Sequence, residues 1–311
     1  MLASTPASIV AIVVTHFPDV EMLGEQLTRL VPQVAAVVLV DNGSNIDILA
    51  WNAERKLKAM SAASEVIPLG INKGIATAQN IGIRWAQQQQ VTCVLFMDQD
   101  SVPAADMVVH LFAALVKLPA VAAVGPRYWD ERQASRQQNL ASFIRRDGLK
   151  LKRYACDSEG GIIPVSYLVS SGCLIPLSVL EKVGGMRDEL FIDYVDFEWG
   201  LRAAHHGLCS YGVCAAHLHH QLGDSHLKVF NRNIPLHSPL RHYYLCRNAV
   251  LLYKMAWIPY QWKVADGARL LLKCGIYIVF APQRLAHWRM MALGVWHGLR
   301  GRFGQLTANT L

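Results

Sequence analysis

The fold is decided by the stretch Val94-Leu95-Phe96-Met97-Asp98-Gln99-Asp100-Ser101, in which an apolar run ends at two acids. A short, partly β-branched apolar run is typical of a strand that is covered on both faces. Such a strand delivers the residues after it to the carboxyl edge of a sheet, where open α/β folds bind ligands. Two ionised carboxylates one residue apart repel each other unless a divalent cation lies between them. The stretch therefore predicts a cation-dependent site at the end of a central strand, with a solvated turn as the alternative.

Strands and helices alternate from residue 8 to about residue 118. The hydrophobic pattern predicts strands over 8–14, 35–40, 65–67 and 93–97, and helices over 46–60 and 75–88. This alternation is typical of a parallel sheet with covering helices, so the expected fold class is α/β. No Gly-x-Gly-x-x-Gly follows the first strand, which argues against the usual dinucleotide fingerprint.

Residues suited to a nucleotide follow the first three predicted strands. Thr15 and Asp41 come after strands one and two, and an acid in the second position can accept hydrogen bonds from a ribose or a base. The next loop contains Asn72 and Gly74 and leads into a helix that begins with small residues. Small residues let a ligand approach the backbone, and a helix N-terminus favours an anion. For Asp41, a simple turn is an equal alternative.

Composition indicates a globular protein with a large core. The 311 residues suffice for one large or two modest domains, and 52% of them are hydrophobic. No run of about 18 uncharged apolar residues is present, so no membrane span is expected. No basic residue precedes the first apolar stretch, so no signal peptide is expected. The seven scattered cysteines contain no Cys-x-x-Cys pair and predict reduced thiols in a cytoplasmic protein.

A second group of acids lies at the start of a later predicted helix. Residues 191–199 read Phe-Ile-Asp-Tyr-Val-Asp-Phe-Glu-Trp, and a helix over 195–205 places Asp193 before its N-terminus and Asp196 in its first turn. Capping is the alternative role for one of them, because the helix dipole alone favours acids there. Aromatic surroundings can raise the pKa of a carboxyl group toward that of a useful general base. His220, in a histidine-rich stretch, can complete an oxygen-rich metal site, with a polar loop as the alternative.

The ordered set of motifs resembles the family 2 glycosyltransferases of the GT-A fold. It comprises the helix start at 72–82, the strand end at 97–101, the acidic segment at 191–199 and His-Gln-Leu-Gly at 220–223. With Arg-His-Tyr-Tyr at 241–244 and Arg-Asn at 247–248, the set looks like the bacterial rhamnosyltransferase branch. The resemblance covers residues 8–255 and implies a GT-A catalytic domain over 1–225, followed by a basic helical region over 226–311.

The resemblance implies an inverting transfer of a sugar from a nucleoside diphosphate. For the rhamnosyltransferase branch the donor is dTDP-β-L-rhamnose, and the acceptor is a polysaccharide or a lipid-linked glycan in cell-surface glycan synthesis. By position, the donor contacts are Thr15, Asp41, Asn72, Gly74, Asp98 and Gln99. Asp100 and His220 hold Mg²⁺ or Mn²⁺ on the diphosphate.

One departure from the family pattern concerns the general base. Many members have Glu-Asp where this chain has Asp193-Tyr194. The role of base therefore passes to Asp193 or Asp196. Asp193 is slightly preferred, because it is the residue before the helix.

The C-terminal segment is strongly basic. From His226 to the end it contains twelve lysines or arginines and one acid. Arg241, Tyr244 and Arg247 lie at helical spacing and are candidates to contact a phosphate of the donor or acceptor, with a packed helix as the equal alternative. Cations interleaved with tryptophan and leucine suit an anionic membrane surface, with a helical cap on the catalytic domain as the alternative. The expected location is cytoplasmic, peripheral at the inner face of the cell membrane. Nucleic acid is not expected as a partner, because no recognition motif is present.

Other functions stay open on the sequence alone. A sugar nucleotidyltransferase needs a Gly-rich basic loop after the first strand, where this chain has Thr-His-Phe-Pro at 15–18. A non-catalytic glycan- or membrane-binding protein on the same fold would need none of the acids. Within the glycosyltransferases, a UDP, GDP or other dTDP sugar is an open alternative as donor.

Overall fold

The computed structural model describes residues 8–59, 63–129, 143–147, 150–156, 158, 160–220, 226–229 and 232–307. Its strands are β1 (Ile9–Thr15), β2 (Ala36–Asp41), β3 (Ala63–Pro68), β4 (Cys93–Asp98), β5 (Ser101–Pro103), β6 (Val121–Trp129), β7 (Phe143–Asp147), β8 (Lys150–Tyr154), β9 (Ile162–Val165), β10 (Leu174–Pro176), β11 (Cys209–His220), β12 (His226–Val229) and β13 (Arg232–Pro235). The helices are α1 (Val20–Leu30), α2 (Ile48–Ala59), α3 (Ile75–Gln87), α4 (Met107–Lys117), α5 (Leu177–Val183), α6 (Val195–His205), α7 (Pro239–Lys254), α8 (Tyr260–Phe280) and α9 (Arg284–Leu299).

A nine-stranded mixed sheet forms the centre of the fold. Its order is β3-β2-β1-β4-β10-β6-β11-β5, with β9 paired to β11. Strands β1 to β4 are parallel, as the alternating pattern predicts, whereas β10 joins β4 to β6 in the antiparallel sense. Six of the seven residues of β1 are β-branched and all seven are buried, because helices cover both faces of the sheet. The α/β fold class is confirmed.

The C-terminal helices share the core of the sheet. Helix α7 contributes Ala249 and Leu252 to the same hydrophobic cluster as Val10 of β1 and Phe96 of β4. Helix α9 lies so close to α7 that a Cβ atom on Gly294 would be 2.4 Å from a backbone oxygen of α7. None of the described helices combines the length and the hydropathy needed to cross a bilayer. The predicted domain boundary at 225 lies outside the described residues.

The second half of the sheet contains a long strand and is followed by a separate hairpin. Strand β6 runs from Val121 to Trp129 and includes Gly125-Pro126-Arg127. After it, the structure describes the hairpin β7–β8 with a few flanking residues; 130–142, 148–149, 157 and 159 lie outside the described residues. The histidine-rich stretch belongs to β11, which continues to His220, so the polar-loop alternative is wrong for 217–220.

The expectation of seven reduced thiols is also wrong. Cys156 and Cys214 form a disulfide, although they are 58 residues apart in the sequence. The fold brings the residues after β8 against β11, and no local spacing announces this pairing. Disulfides are uncommon in reducing compartments, so this pair also removes the cysteine argument for a cytoplasmic protein.

Candidate functional site

The carboxyl ends of β1, β2 and β4 meet at one edge of the sheet, which we call the nucleotide edge (residues 15–16, 41–44, 72–74 and 98–100). Parallel register places Thr15 beside Asp41, and Val14 beside Asp98. The Thr15 hydroxyl donates a hydrogen bond of 2.9 Å to Asp41 Oδ1. The side chains that the sequence singles out at the ends of β1 and β2 therefore lie side by side.

The carboxylate of Asp41 is engaged within the protein. Besides the bond from Thr15, its Oδ2 accepts a hydrogen bond of 3.2 Å from the backbone N–H of Ser44. Thr15 and Asp41 are both buried, with 0% and 6% of their surface exposed. These bonds are those of the turn alternative, since they close the loop that follows β2.

Two residues that the sequence reading missed connect the candidate donor contacts. The N–H of His16 donates to Gln99 Oε1 over 2.6 Å, and Gln99 Nε2 returns a bond of 3.0 Å to the His16 carbonyl. Asn42 Nδ2 donates to Asn72 Oδ1 over 3.0 Å, and His16 Nδ1 lies 3.0 Å from the Asn42 carbonyl. The available signal was position, because His16 and Asn42 directly follow the last residues of β1 and β2.

Gly74 lies where the nucleotide edge meets the acidic segment. Its φ is +88°, and its N–H donates to Asn72 Oδ1 over 2.9 Å. A Cβ atom at Gly74 would lie 2.6 Å from the carbonyl oxygen of Phe191. The same carbonyl accepts a hydrogen bond of 2.8 Å from the N–H of Ile75. A glycine is needed here for both its conformation and the close approach.

The turn that carries Asp98 and Asp100 is held from helix α1. Gln26 is fully buried, and its Nε2 donates to the carbonyl oxygens of Asp98 and Ser101 over 2.5 and 2.7 Å. The N–H of Asp98 donates to Ser171 Oγ over 3.1 Å. The signal for Gln26 was a polar residue on the buried face of an amphipathic helix.

The described residues supply two carboxylates to a possible metal site. Asp98 and Asp100 are half-buried at the end of β4. His220, in β11, pairs with Ser101, which places it beside the same turn; its side chain lies outside the described residues. Among the described residues, no three His, Cys, Asp or Glu side chains form a metal-binding group. Two carboxylates fit Mg²⁺, which usually takes one or two together with substrate phosphates.

Asp196 lies in the first turn of α6 and has a perturbed pKa. Its pKa is raised to about 7, mainly by burial; the hydrogen bond from the N–H of Phe197 opposes this rise, and the charge of Asp98 adds to it. The side chain lines a cavity of about 20 Å³ together with Gln79 and Ser170. A carboxyl group with a pKa near 7 can accept a proton at neutral pH.

Asp193 lies in a strained turn that precedes α6. Asp193 and Tyr194 have φ values of +62° and +63°, which are uncommon for residues other than glycine. Arg241 Nε lies 3.3 Å from Asp193 Oδ1, and the two side chains are 41% and 15% exposed. This ion pair joins the acidic segment to the first turn of α7.

Arg247 and Tyr244 are buried against the acidic segment. Arg247 is 1% exposed, and its guanidinium donates to the carbonyl oxygens of Leu190 over 2.8 Å and of Gly304. Tyr244 is 3% exposed, and its hydroxyl oxygen accepts a bond of 2.9 Å from the N–H of Leu306. Of the three candidate phosphate contacts, Arg241 has the exposed side chain, whereas the other two follow the packed-helix alternative.

Comparison with known proteins gives consistent matches. Residues 11–171 match the family described as Glycosyl transferase family 2. The chain is 32% identical over 298 residues to "dTDP-rhamnosyl transferase RfbF" of Shigella flexneri, covering 96% of this chain and 97% of that protein. Among solved structures, S. aureus TarS 1–349 is similar with a TM-score of 0.57 and 14% identity, covering 94% of this chain and 80% of TarS. The mannosyltransferase PcManGT of Pyrobaculum calidifontis, solved with GDP-Man and Mn²⁺, is similar with a TM-score of 0.54 and 14% identity, covering 96% of this chain and 88% of PcManGT.

Proposed function

Because the chain belongs to glycosyl transferase family 2, we propose that it transfers L-rhamnose from dTDP-β-L-rhamnose, with inversion, to a polysaccharide or lipid-linked glycan. The resemblance predicted from the motifs is confirmed, and the chain is a glycosyltransferase with a GT-A type fold. The observation that carries the donor is the 32% identity, over nearly the whole of both chains, to a protein named as a dTDP-rhamnosyl transferase.

The donor site proposed here is the nucleotide edge. Its strand-end residues would contact the nucleoside, and Asp98 lies beside them toward the turn that carries Asp100. The hydrogen bonds of His16 and Asn42 support adding these two residues to the set. The complete proposed set is Thr15, His16, Asp41, Asn42, Asn72, Gly74, Asp98 and Gln99.

We further propose that Asp100 and His220 hold Mg²⁺ or Mn²⁺. The pairing of His220 with Ser101, the residue after Asp100, supports this choice, as does the presence of Mn²⁺ in the solved PcManGT complex. A bound divalent cation neutralises charge on the departing diphosphate. An imidazole ligand suits Mn²⁺ better than Mg²⁺.

The structure supports Asp196 over Asp193 as the proposed general base. Asp196 is close enough to Asp98 for that charge to raise its pKa, whereas Asp193 is paired with Arg241. In the proposed step, the acceptor oxygen bonds to the anomeric carbon while its proton passes to Asp196. The bond from the anomeric carbon to the phosphate oxygen breaks, and its electron pair leaves with dTDP.

We propose that α8 and α9 attach the enzyme to the anionic inner face of the membrane. Many of their apolar side chains are 50–75% exposed, among them Leu271, Leu272, Leu285, Trp288 and Trp296. Arg284 and Arg289 are exposed beside them. Exposed tryptophan and leucine next to arginine suit the interface of a membrane that contains anionic lipid.

Vesicle flotation tests the membrane proposal. The wild type should float with vesicles that contain phosphatidylglycerol and less with phosphatidylcholine alone. Leu272→Glu changes a leucine that is 68% exposed and should reduce flotation, whereas Val116→Glu on α4 changes a valine that is 63% exposed and should not. Equal flotation of all three proteins, or none, contradicts the proposal.

Nucleotide binding and sugar transfer test the proposed donor. Thermal unfolding is followed with dTDP, UDP and GDP, each with and without Mn²⁺. A ligand at 100 times its dissociation constant adds about 2.7 kcal/mol to the free energy of unfolding. Mn²⁺-dependent stabilisation by dTDP alone, followed by transfer from dTDP-β-L-rhamnose to a rhamnose-accepting glycan, supports the proposal. Stabilisation by UDP or GDP instead keeps the transferase and replaces the sugar.

A further inference from the structure

The backbone before Asp196 is held in an unusual conformation. We call residues 189–194 the acid loop. Phe191, Asp193 and Tyr194 have φ values of +64°, +62° and +63°. L-residues rarely adopt this region, so three such residues within four positions persist only if neighbouring groups hold them.

One buried side chain of α7 holds three carbonyl groups of the acid loop. Asn248 is 0% exposed. Its Nδ2 lies 2.9 Å from the carbonyl oxygen of Leu190, 2.7 Å from that of Ile192 and 2.9 Å from that of Asp193. Its Oδ1 accepts a bond of 2.9 Å from Arg247 Nε, which fixes the orientation of the amide. An acceptor group in place of the NH₂ would face three oxygens.

Other residues of the C-terminal helices contact Phe191 and Tyr194 of the same loop. The ring of Tyr244 stacks on that of Phe191 with centroids 5.1 Å apart. Asp266 is the one acid after residue 225, and it accepts a bond of 2.8 Å from the hydroxyl of Tyr194. Tyr194 caps α6 and is followed within two residues by Asp196.

We propose that Asn248 is a positioning residue for sugar transfer. Its amide donates to the acid loop, and the loop in turn sets where α6 begins and where Asp196 faces. Asn248 belongs to the Arg-Asn pair at 247–248 that carries part of the resemblance, but it is not among the proposed donor contacts. The inference rests on the proposed function, since it concerns the placement of the proposed base.

The test replaces the amide NH₂ group of Asn248, which donates hydrogen bonds, with a carboxylate oxygen of about the same size, which accepts them. Asn248→Asp keeps the oxygen that Arg247 binds and removes the NH₂ group. We expect kcat to fall about 100-fold, since a small misplacement of a reacting group has that effect. The dissociation constant of dTDP with Mn²⁺ should stay within about threefold, because the three carbonyl groups that Asn248 binds belong to the acid loop and not to the nucleotide edge. Asn248→Ser keeps one donor and should give an intermediate kcat.

Asn52→Asp is the matched control. Asn52 is also a helical asparagine that is 2% exposed, and it lies on α2 outside the proposed site. It should leave kcat within about threefold of wild type. A kcat of Asn248→Asp equally close to wild type, or a parallel loss of kcat and dTDP affinity, overturns the inference.

Hydrogen exchange keeps this test separate from the identity of the donor. The amide N–H groups of Ile75 and Glu198 donate to the carbonyls of Phe191 and Tyr194. Both should exchange faster in Asn248→Asp than in Asn52→Asp, whichever sugar is used. Unchanged exchange overturns the inference. If the wild type binds no dTDP and transfers no rhamnose, while Asn248→Asp still exchanges faster than Asn52→Asp, only the proposed donor is overturned.

Discussion

The nucleotide edge and the acid loop face each other across Gly74, but they are built in different ways. The nucleotide edge comes from the ends of three neighbouring parallel strands within the first 101 residues, and its side chains bond mainly to one another. The acid loop is held by residues 241–266 of α7 and α8, which lie about 50 to 70 positions later in the chain. The proposed donor site and the proposed general base therefore depend on separate parts of the sequence.

This difference has a direct consequence for experiments. Changes in the nucleotide edge should alter nucleotide affinity, whereas changes in the acid loop or in its supports should alter kcat at constant affinity. Measuring both quantities on the same variants shows whether the two regions act separately.

The largest expected effect is on the proposed general base. Asp196→Asn removes the proton acceptor, and general-base catalysis contributes about 10² to 10⁴-fold, so kcat should fall by that factor. The affinity for dTDP with Mn²⁺ should be unchanged in a titration of the variant. Asp193→Asn serves as the comparison and should be the milder change; if it is the more severe one, Asp193 is the base.

The pH dependence of the wild type checks the same assignment. Burial raises the pKa of Asp196 to about 7, so kcat should fall as the pH drops below that value, because the protonated group accepts no proton. The free energy of unfolding should change with pH in the opposite direction to kcat. The folded state retains this proton up to a higher pH than the unfolded chain, so the free energy of unfolding should decrease as the pH rises from about 4 to 7. Urea unfolding of wild type and Asp196→Asn at several pH values measures this term.

The second effect concerns the metal and belongs to the nucleotide edge. At 100 times its dissociation constant, dTDP with Mn²⁺ should add about 2.7 kcal/mol to the free energy of unfolding of the wild type. Asp100→Ala should abolish the part of this stabilisation that depends on Mn²⁺. Thermal unfolding with and without Mn²⁺ provides the measurement. Full metal-dependent stabilisation in this variant would show that Asp100 is not a ligand.

The third effect lies at the junction of the two regions. Gly74→Ala places a Cβ atom 2.6 Å from the Phe191 carbonyl at a φ of +88°. Gly70→Ala introduces the same residue at a φ of +72° with nothing within 4 Å. The alanine at 70 should cost about 1 kcal/mol of unfolding free energy, and the alanine at 74 about 1 to 3 kcal/mol more, together with a loss of kcat. Equal losses of unfolding free energy for the two alanine variants in chemical denaturation would mean that the close contact between Gly74 and Phe191 does not constrain the two regions.

The smallest effect is expected within the nucleotide edge. Thr15→Val removes the hydroxyl that bonds to Asp41, and a hydrogen bond of this kind contributes about 1 kcal/mol. Urea unfolding should show that loss. If Thr15 only supports the turn, dTDP affinity should stay near that of wild type, whereas a direct nucleoside contact predicts weaker binding in calorimetry.

The sequence predicted the strands that form the nucleotide edge because strand ends carry their own signals. Thr15, Asp41 and Asp98 are the last residues of β1, β2 and β4, so the candidate residues are part of the elements that place them. His16 and Asn42 were missed, although they occupy the same kind of position. Their hydrogen bonds connect loops that are distant in the sequence, so the local sequence of one loop does not predict them.

The acid loop was only partly predictable. The start of α6 at Val195 was found from the pattern, but the conformation before it depends on contacts with α7. Arg247 was a candidate phosphate contact because it lies at helical spacing with Arg241 and Tyr244, and a packed helix was the equal alternative. Arg247 is buried because it bonds to Leu190 and Gly304, which lie about 57 residues before and after it in the sequence. The local spacing of residues does not predict such distant partners. The pairing of Cys156 with Cys214 was unpredictable for the same reason.

The bond from Arg247 to the Gly304 carbonyl also has a consequence during protein synthesis. The N–H of Gly304 donates to the carbonyl of Glu189, so the acid loop is complete only after residue 304 has been made and has folded back. Ribosomes add roughly 5–20 residues per second, so the roughly 200 residues between Ser101 and Gly304 take about 10 to 40 s. A nascent chain can therefore hold a nearly finished nucleotide edge for that time before the acid loop is assembled.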